Sequence, residues 1–585
     1  QPGGSDSAAL DNALELLTRG GRTIDHSMLM LVPQAWGAKY PMGPNLRGFF
    51  EYHAGIMEPW DGPAALAFTD GRCVGALLDR NGLRPARYTL TRDGFIVFAS
   101  EAGVLDIPAS DIVERGALRP GRMLLIDLER GHIMKDAEIK TQLARRQPYR
   151  RWVEENHVLI HGFFNAMNPI EPDRDTLLKR ERLFGYSRED RNVLIGPMAE
   201  KGKEPIGSMG ADQPLAVLSE KSQLLYWYFK QLFAQITNPA IDSIREELVM
   251  SLTTFMGTTD QILTETPRHA RLVKLRHPIL ANEDLARIRS LNLPDFDTLT
   301  IPMAFPAGGN GNDLEMALQH ICERAEKAIL KSGVRFIVLS DKDVPEDMTP
   351  IPALLAVSAV NQHLVALGVR TDSSIILETG EAREVMHMAL LLGYGASAIN
   401  PYLAMEIVAD MVLQKELTKS LSVPKAMENY VKALCTGLLK VMSKMGISTM
   451  RSYRSAQVFE AVGLNSSLVA SYFPGTASRI EGLGLDGIAR EATARHAAAY
   501  PTDVYDHKLL PAGGVYKFRN GGERHLWSPD AIALLQRATR EENYDYFKEY
   551  ARLINDQEQA QVTLRGLLAF KPGHAIPLDE VEPAS

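Results

Sequence analysis

Cysteine is nearly absent from this chain: 585 residues contain only Cys73, Cys322 and Cys435. No two of them form a CxxC pair, so neither a zinc knuckle nor a local iron–sulfur loop can be built from them. They read instead as buried small hydrophobes in a reduced, cytoplasmic protein. Long apolar runs are also missing. No stretch approaches the ~20 residues of a membrane-spanning helix, and no signal peptide is present. Basic excess is missing too. The net charge is -8 and the pI ≈ 6.0, which argues against a nucleic-acid binder held by a basic face. What is there is a 45% hydrophobic, 23% charged composition, ordinary for globular protein and enough for a large core. At about 100–200 residues per domain, the length predicts three or four domains.

The first 140 residues alternate turn pairs with short apolar runs. Ser5-Asp6-Ser7 before residues 8–17, with Gly20-Gly21 after them, predicts a helix with an N-cap and a glycine stop. Residues 64–68, 73–78, 87–91, 95–99 and 123–128 read as strands. Asp70-Gly71, Asn81-Gly82 and Asp93-Gly94 between them have two-residue hairpin chemistry. The expectation is an antiparallel sheet with a helix packed on it, α+β in type.

Further on, the dense apolar-aromatic run 224–233 reads as a buried helix. Ser243 and Glu246 read as a capping box for a helix over 244–256. Residues 296–470 alternate strand and helix: strands at 334–339 and 374–377, helices at 352–367, 382–392, 402–414 and 427–445. That alternation predicts βαβ units and a parallel sheet. Pro511-Ala512-Gly513-Gly514 begins a polar stretch, Ser528-Pro529 opens a helix, and the tail from Pro572 shows no packed element.

Several motifs read more plainly than they look. His157 and His161 have helix-face spacing, but Val158 stands where a metalloprotease has Glu. Gly308-Gly309-Asn310-Gly311-Asn312 resembles a phosphate loop without the Lys-Ser/Thr of a P-loop, so it reads as a helix start. Arg145, Arg146, Arg150 and Arg151 read as a solvated face. Asp341, Asp343, Glu346 and Asp347 read as loop charges with no partner visible by spacing. Asp79-Arg80-Asn81-Gly82-Leu83-Arg84-Pro85 reads as a structural turn.

Longer strings carry a resemblance. Asp79-x-x-Gly82-x-Arg84-Pro85 with Ala99-Ser100-Glu101 looks like the core of class II glutamine amidotransferases, which have an N-terminal-nucleophile hydrolase fold. Asn45-Leu46-Arg47-Gly48-Phe49-Phe50-Glu51-Tyr52-His53 and Met57-Glu58-Pro59-Trp60-Asp61-Gly62-Pro63-Ala64 resemble the glutamate synthase large subunit. So do Tyr228-Phe229-Lys230-Gln231, Thr237-Asn238-Pro239, Glu378-Thr379-Gly380-Glu381, Ile399-Asn400-Pro401-Tyr402-Leu403 and Met442-Ser443-Lys444-Met445-Gly446-Ile447-Ser448-Thr449. The order is colinear over nearly the whole chain. The pattern departs from the family at Asn361-Gln362 and Met386-His387-Met388, where relatives are richer in histidine.

The resemblance implies a multidomain α+β and α/β protein, an internal piece of that subunit. Residues 1–150 would be the C-terminal part of an αββα amidotransferase domain. Residues 155–510 would be an α/β central domain with a parallel sheet, and 511–585 a short, mostly helical start of an FMN-binding domain. It implies an oxidoreductase that makes two L-glutamate from L-glutamine and 2-oxoglutarate, using FMN and an iron–sulfur cluster. Its electron donor would be a small subunit or ferredoxin. The nucleophilic cysteine would lie upstream of Gln1, so the piece alone is expected to be inactive and to bind no cofactor or metal. One site residue carries over: Asp6, matching the aspartate that holds the glutamine α-ammonium. The alternatives are a non-catalytic scaffold or another class II amidotransferase, the latter without a central α/β domain.

Overall fold

The computed structural model describes residues 3–37, 40–160, 172–205, 211–232, 241–242, 244–418, 420–501, 509–557 and 561–583. His161, Phe233, Ser243 and the Thr237-Asn238-Pro239 string lie outside them.

The first part opens with α1 (Asp6–Arg19), whose N-cap Ser5 accepts from Ala8 N at 3.2 Å. Gly20 and Gly21 end it, Gly21 at a φ of 98° that disfavours other residues. Helices α2 (Ile24–Leu31) and α3 (Pro44–Ala54) follow. The strands β1 (Ala65–Thr69), β2 (Cys73–Leu78), β3 (Arg87–Thr91), β4 (Ile96–Ala99), β5 (Ile112–Ala117), β6 (Met123–Asp127) and β7 (His132–Lys135) come next, then α4 (Asp136–Arg146) and α5 (Tyr149–Asn156).

The strands form two antiparallel sheets rather than one, ordered β1-β2-β6-β7 and β4-β3-β5. Asp70-Gly71 and Asp93-Gly94 close hairpins as expected. Asn81-Gly82 does not: it carries the chain from β2 to the other sheet. Phe49, Phe50, Tyr52, Leu77, Leu125, Ile139 and Leu143 are the inner face of this part.

The second part is built on a parallel sheet with the strands Thr298–Pro302, Phe336–Ser340, Ser374–Glu378 and Ala398–Asn400 in sequential order. The two middle strands are buried along their whole length, which is why they read as continuous apolar runs. Alternate residues face opposite sides. Ile337, Leu339, Ile375 and Leu377 join a large core shared with the helices Gly311–Ser332, Ala353–Ala366 and Tyr402–Leu413. Phe336, Val338 and Ile376 face a smaller core with Leu280, Ile288 and Phe296.

Two expectations fail here. Over 224–232 the chain makes a short 3-10 turn, Leu225–Tyr228, and then the strand Phe229–Gln231, paired antiparallel with Phe459–Ala461. Over 244–256 it makes only the one-turn helix Arg245–Val249 and then the strand Thr254–Met256. Over 224–232 apolar density alone does not distinguish helix from strand, and over 244–256 the capping-box spacing does not set how far a helix runs; each segment pairs with a strand from outside it.

Residues 514–517 strap onto the second part through Glu189, whose carboxylate accepts from Gly514 N, Val515 N and Lys517 N at 2.8, 2.6 and 2.8 Å. The helices Pro529–Arg540 and Tyr544–Asn555 pack mainly on each other. Among the described residues no helix is long and apolar enough to cross a membrane.

Candidate functional site

Asp6 is the first helical residue of α1, not its cap, and is exposed. A carboxylate there is favoured by the positive end of the helix. With Leu10 and Ala13 it lines a cavity of about 760 Å³ between the two parts, whose other wall includes Arg370, Arg451 and Arg454. A second cavity of about 660 Å³ lies between the same parts, lined mostly by apolar groups such as Trp36, Met57, Leu252 and Val431.

The walls of these cavities are held by polar bonds within the first part and across to the second. Arg80 Nη2 donates to Asp61 Oδ1 at 2.7 Å, Arg80 Nη1 to the Trp60 carbonyl at 2.7 Å, and Ser448 N to Asp61 Oδ1 at 3.0 Å. Ser448 Oγ bonds both Arg80 and Asp61. Arg451 donates to the carbonyls of Gly55 and Ile56, just past α3, at 2.8 and 2.9 Å. Glu51 in α3 accepts from Lys274 and His157. Burial pushes its carboxyl up, but these partners win and hold it below the usual carboxylate range.

The closest group of potential metal ligands among the described residues is His26, His53 and Glu265. His26 Nε2 lies 2.8 Å from His53 Nε2 and 3.3 Å from Glu265 Oε1. Tyr149 donates to Glu265 at 2.8 Å, and His53 Nδ1 lies 2.7 Å from the Phe49 carbonyl. Arg146 reaches His26 Nδ1 at 3.4 Å, and buried Arg22 adds a second positive charge nearby. Two guanidiniums therefore already balance the single carboxylate, so the trio is a hydrogen-bonded clasp rather than a cation site. Burial, reinforced by His53, drives His26 down to about 3, leaving it neutral. Burial alone would raise Glu265, but its hydrogen bonds hold it at about 2.

Acidic groups also gather at the carboxyl ends of the parallel strands, where open α/β sheets bind ligands. Here the chain consumes them itself. Glu378 accepts from Arg289 at 2.7 and 3.1 Å and from Ser340 at 2.6 Å. Asp341 is buried and accepts from Gly380 N at 2.8 Å and from Thr379. Glu346 pairs with Lys179. The partners missing from the local sequence are supplied by the next strand and by distant helices.

The remaining motifs resolve as structure. Asn310 caps the helix Gly311–Ser332, and Gly311 N donates to Asp486 Oδ1 at 2.9 Å, so the chain's own carboxylate occupies the place of a phosphate. His157 ends α5 and turns to Glu51, and Val158 begins a strand. Arg150 and Arg151 pair with Glu154 and Glu155 on the surface. Arg84 is exposed, and the member of its motif that bonds to the second part is Arg80, a position the pattern leaves open.

The three cysteines do not fit an iron–sulfur cluster. They lie in β2 and in two different helices, and the thiols of Cys322 and Cys435 are pushed by burial up to about 12. A cluster needs clustered thiolates.

Two antiparallel sheets, one of them packed by α4, are hydrogen-bonded through Ser448 and Arg451 to a parallel α/β unit, and this makes a two-part α/β molecule. Residues 1–152 match the family described as class-II glutamine amidotransferases, and residues 179–465 the glutamate synthase central domain. The large chain of the NADPH glutamate synthase of Bacillus subtilis is 46% identical over 99% of this chain and 37% of its own length. That of Azospirillum brasilense is 41% identical over 99% and 38%. Ferredoxin-dependent glutamate synthase 2 of Synechocystis is 41% identical over 99% and 38%. This chain belongs to the glutamate synthase family, and it spans less than two-fifths of the length of these relatives.

Proposed function

We propose that the chain is the middle of a glutamate synthase large subunit. Residues 1–150 close the glutaminase domain, of the αββα N-terminal-nucleophile hydrolase type, 155–510 are the central domain, and 511–585 open the FMN-binding domain. In the longer protein a cysteine thiolate attacks the amide of L-glutamine. The released ammonia then reaches 2-oxoglutarate, and the resulting imine is reduced to L-glutamate. FMN, fed through an iron–sulfur cluster by a small subunit or ferredoxin, supplies the electrons. This chain's residues act at the near end and along the way. Asp6 holds the glutamine α-ammonium by a charge-assisted bond. The central domain holds the two chemistries in register, and the apolar cavity lined by Trp36, Met57, Leu252 and Val431 lies on the route, where it keeps ammonia from water.

The observation that carries this reading is the position of Asp6. It is the first residue of α1, at the helix N-terminus, and lines the cavity between the two parts. The test is Asp6→Asn in the longer protein. The expected result is a KM for glutamine raised at least tenfold with ammonia-dependent synthesis unchanged. An unchanged KM overturns the assignment. The 585 residues alone are expected to hydrolyse no glutamine, because the Cys322 and Cys435 thiols are held protonated and burial also raises Cys73.

A further inference from the structure

Three guanidiniums share the cavity that Asp6 lines, and the described residues give them almost no negative charge. Arg370 is held by neutral acceptors: Asn361 Oδ1 at 2.6 Å, the Ser373 carbonyl at 2.8 Å and the Gly395 carbonyl at 2.7 Å. Arg451 spends both terminal nitrogens on the Gly55 and Ile56 carbonyls. Its one acidic neighbour, Glu58, is 3.8 Å away with a side chain 66% exposed. Arg454 reaches Ser397 Oγ only at 3.4 Å. Of the other acids lining the cavity, Asp61 is consumed by Arg80 and Ser448, and Asp6 is exposed.

Two polar atoms here are left over. Among the described residues, Arg454 Nε is buried with no partner, and so is Ser373 Oγ, on a residue only 3% exposed. Both residues line the cavity. A buried donor without an acceptor forfeits its hydration with nothing in return, and the cost is larger when the donor is charged. Such groups are rare in native proteins unless a ligand, ion or water completes them. Burial, with repulsion from Arg451 and Arg370, drives Arg454 down to about 9. The backbone beside it is constrained as well: Ser455 adopts φ 58°, a conformation that a non-glycine residue holds only where its surroundings enforce it.

We propose that this cavity is an oxyanion-binding site, in which a carboxylate or phosphate group is held by Arg454 and Ser373 with Arg370 and Arg451 flanking it. A planar guanidinium fork matches either group, and a hydroxyl donor completes it. The bound anion supplies the counter-charge that the described residues do not. Because Arg451 already grips the end of α3, the anion also ties the central part to the amidotransferase part. The site does not depend on the role assigned to Asp6.

The test is calorimetric titration of the 585-residue chain with inorganic phosphate and, separately, with glutarate, against chloride at matched ionic strength. The expected result is saturable binding of at least one of them, one per chain. Binding of phosphate alone assigns a phosphoryl ligand, and of glutarate alone a carboxylate ligand. Arg454→Gln weakens it at least tenfold, and Arg454→Lys, which keeps the charge without the fork, weakens it less. Ser373→Ala removes a hydroxyl that bonds none of the described residues, so it preserves the fold and weakens binding about threefold. Arg72→Gln, on an exposed arginine far along the chain, leaves it unchanged. Absence of saturable binding by both anions, or equal binding by wild type, Arg454→Gln and Ser373→Ala, overturns the proposal.

Discussion

Arg80 and Ser448 lie 368 residues apart in sequence and are hydrogen-bonded to each other, with Asp61 accepting from both. The contact joins a turn of the amidotransferase part to the loop that follows the helix Val423–Lys444 of the central part. Removing the cation from such a buried pair strands the carboxylate, at a cost of about 3 kcal/mol. Arg80→Met is therefore expected to lower the urea midpoint accordingly and to speed proteolytic separation of the two parts. Unchanged unfolding together with unchanged proteolysis would show the contact to be incidental.

The His26–His53–Glu265 clasp sets an acid limit. His26 is neutral in the fold down to about pH 3, but ionises near 6.5 when unfolded. Between those values the unfolded chain holds one more proton, so stability falls with falling pH by up to ~1.4 kcal/mol per unit. Glu265 adds to this below about pH 4.5, where the unfolded carboxyl protonates and the folded one does not until about 2. Urea unfolding at pH 5, 6 and 7 measures the slope, and His26→Gln should flatten it above pH 5.

Gly82 sits at φ 64°, and a Cβ there would lie 2.3 Å from Pro120 Cγ. Gly82→Ala combines left-handed backbone strain with a close approach to Pro120, whose backbone Cα also lies only 3.2 Å from the new Cβ. The expected loss is about 2–3 kcal/mol, read as a drop in Tm. Gly94, also left-handed but with nothing within 4 Å of its Cβ, should lose only about 1 kcal/mol on the same change.

Ser5 and Asp6 are adjacent but separable. Ser5→Ala removes the cap of α1 and should cost about 1 kcal/mol, seen in thermal unfolding. In the longer protein it should leave the KM for glutamine within twofold, because the hydroxyl is spent on Ala8 N. A tenfold rise in KM on Ser5→Ala would mean that cap and substrate contact cannot be told apart.

Legibility in the sequence followed the range of the interactions. The parallel sheet could be read because 336–340 and 374–378 are buried on both faces and so run apolar without a break. The hairpins at Asp70-Gly71 and Asp93-Gly94 could be read because turn chemistry is local. Asn81-Gly82 has the same chemistry, yet which sheet the next strand joins is decided by pairing with residues 112–117. The run 224–232 is a strand in part because residues 459–461 lie beside it. The arginines of the cavity wall were invisible for a related reason. Arg370, Arg451 and Arg454 form no motif, and only the fold brings their charges together.

The clasp at Glu265 has a consequence for synthesis. Tyr149 completes its hydrogen bond with a residue 116 positions later, and Tyr52 is tied in the same way to Thr266. The aromatic heart of the first part is therefore sealed by a loop that the ribosome makes only after that part has already emerged. Until then its rings stay open to water, and this unfinished half is the stretch of a nascent chain that a chaperone would be expected to hold.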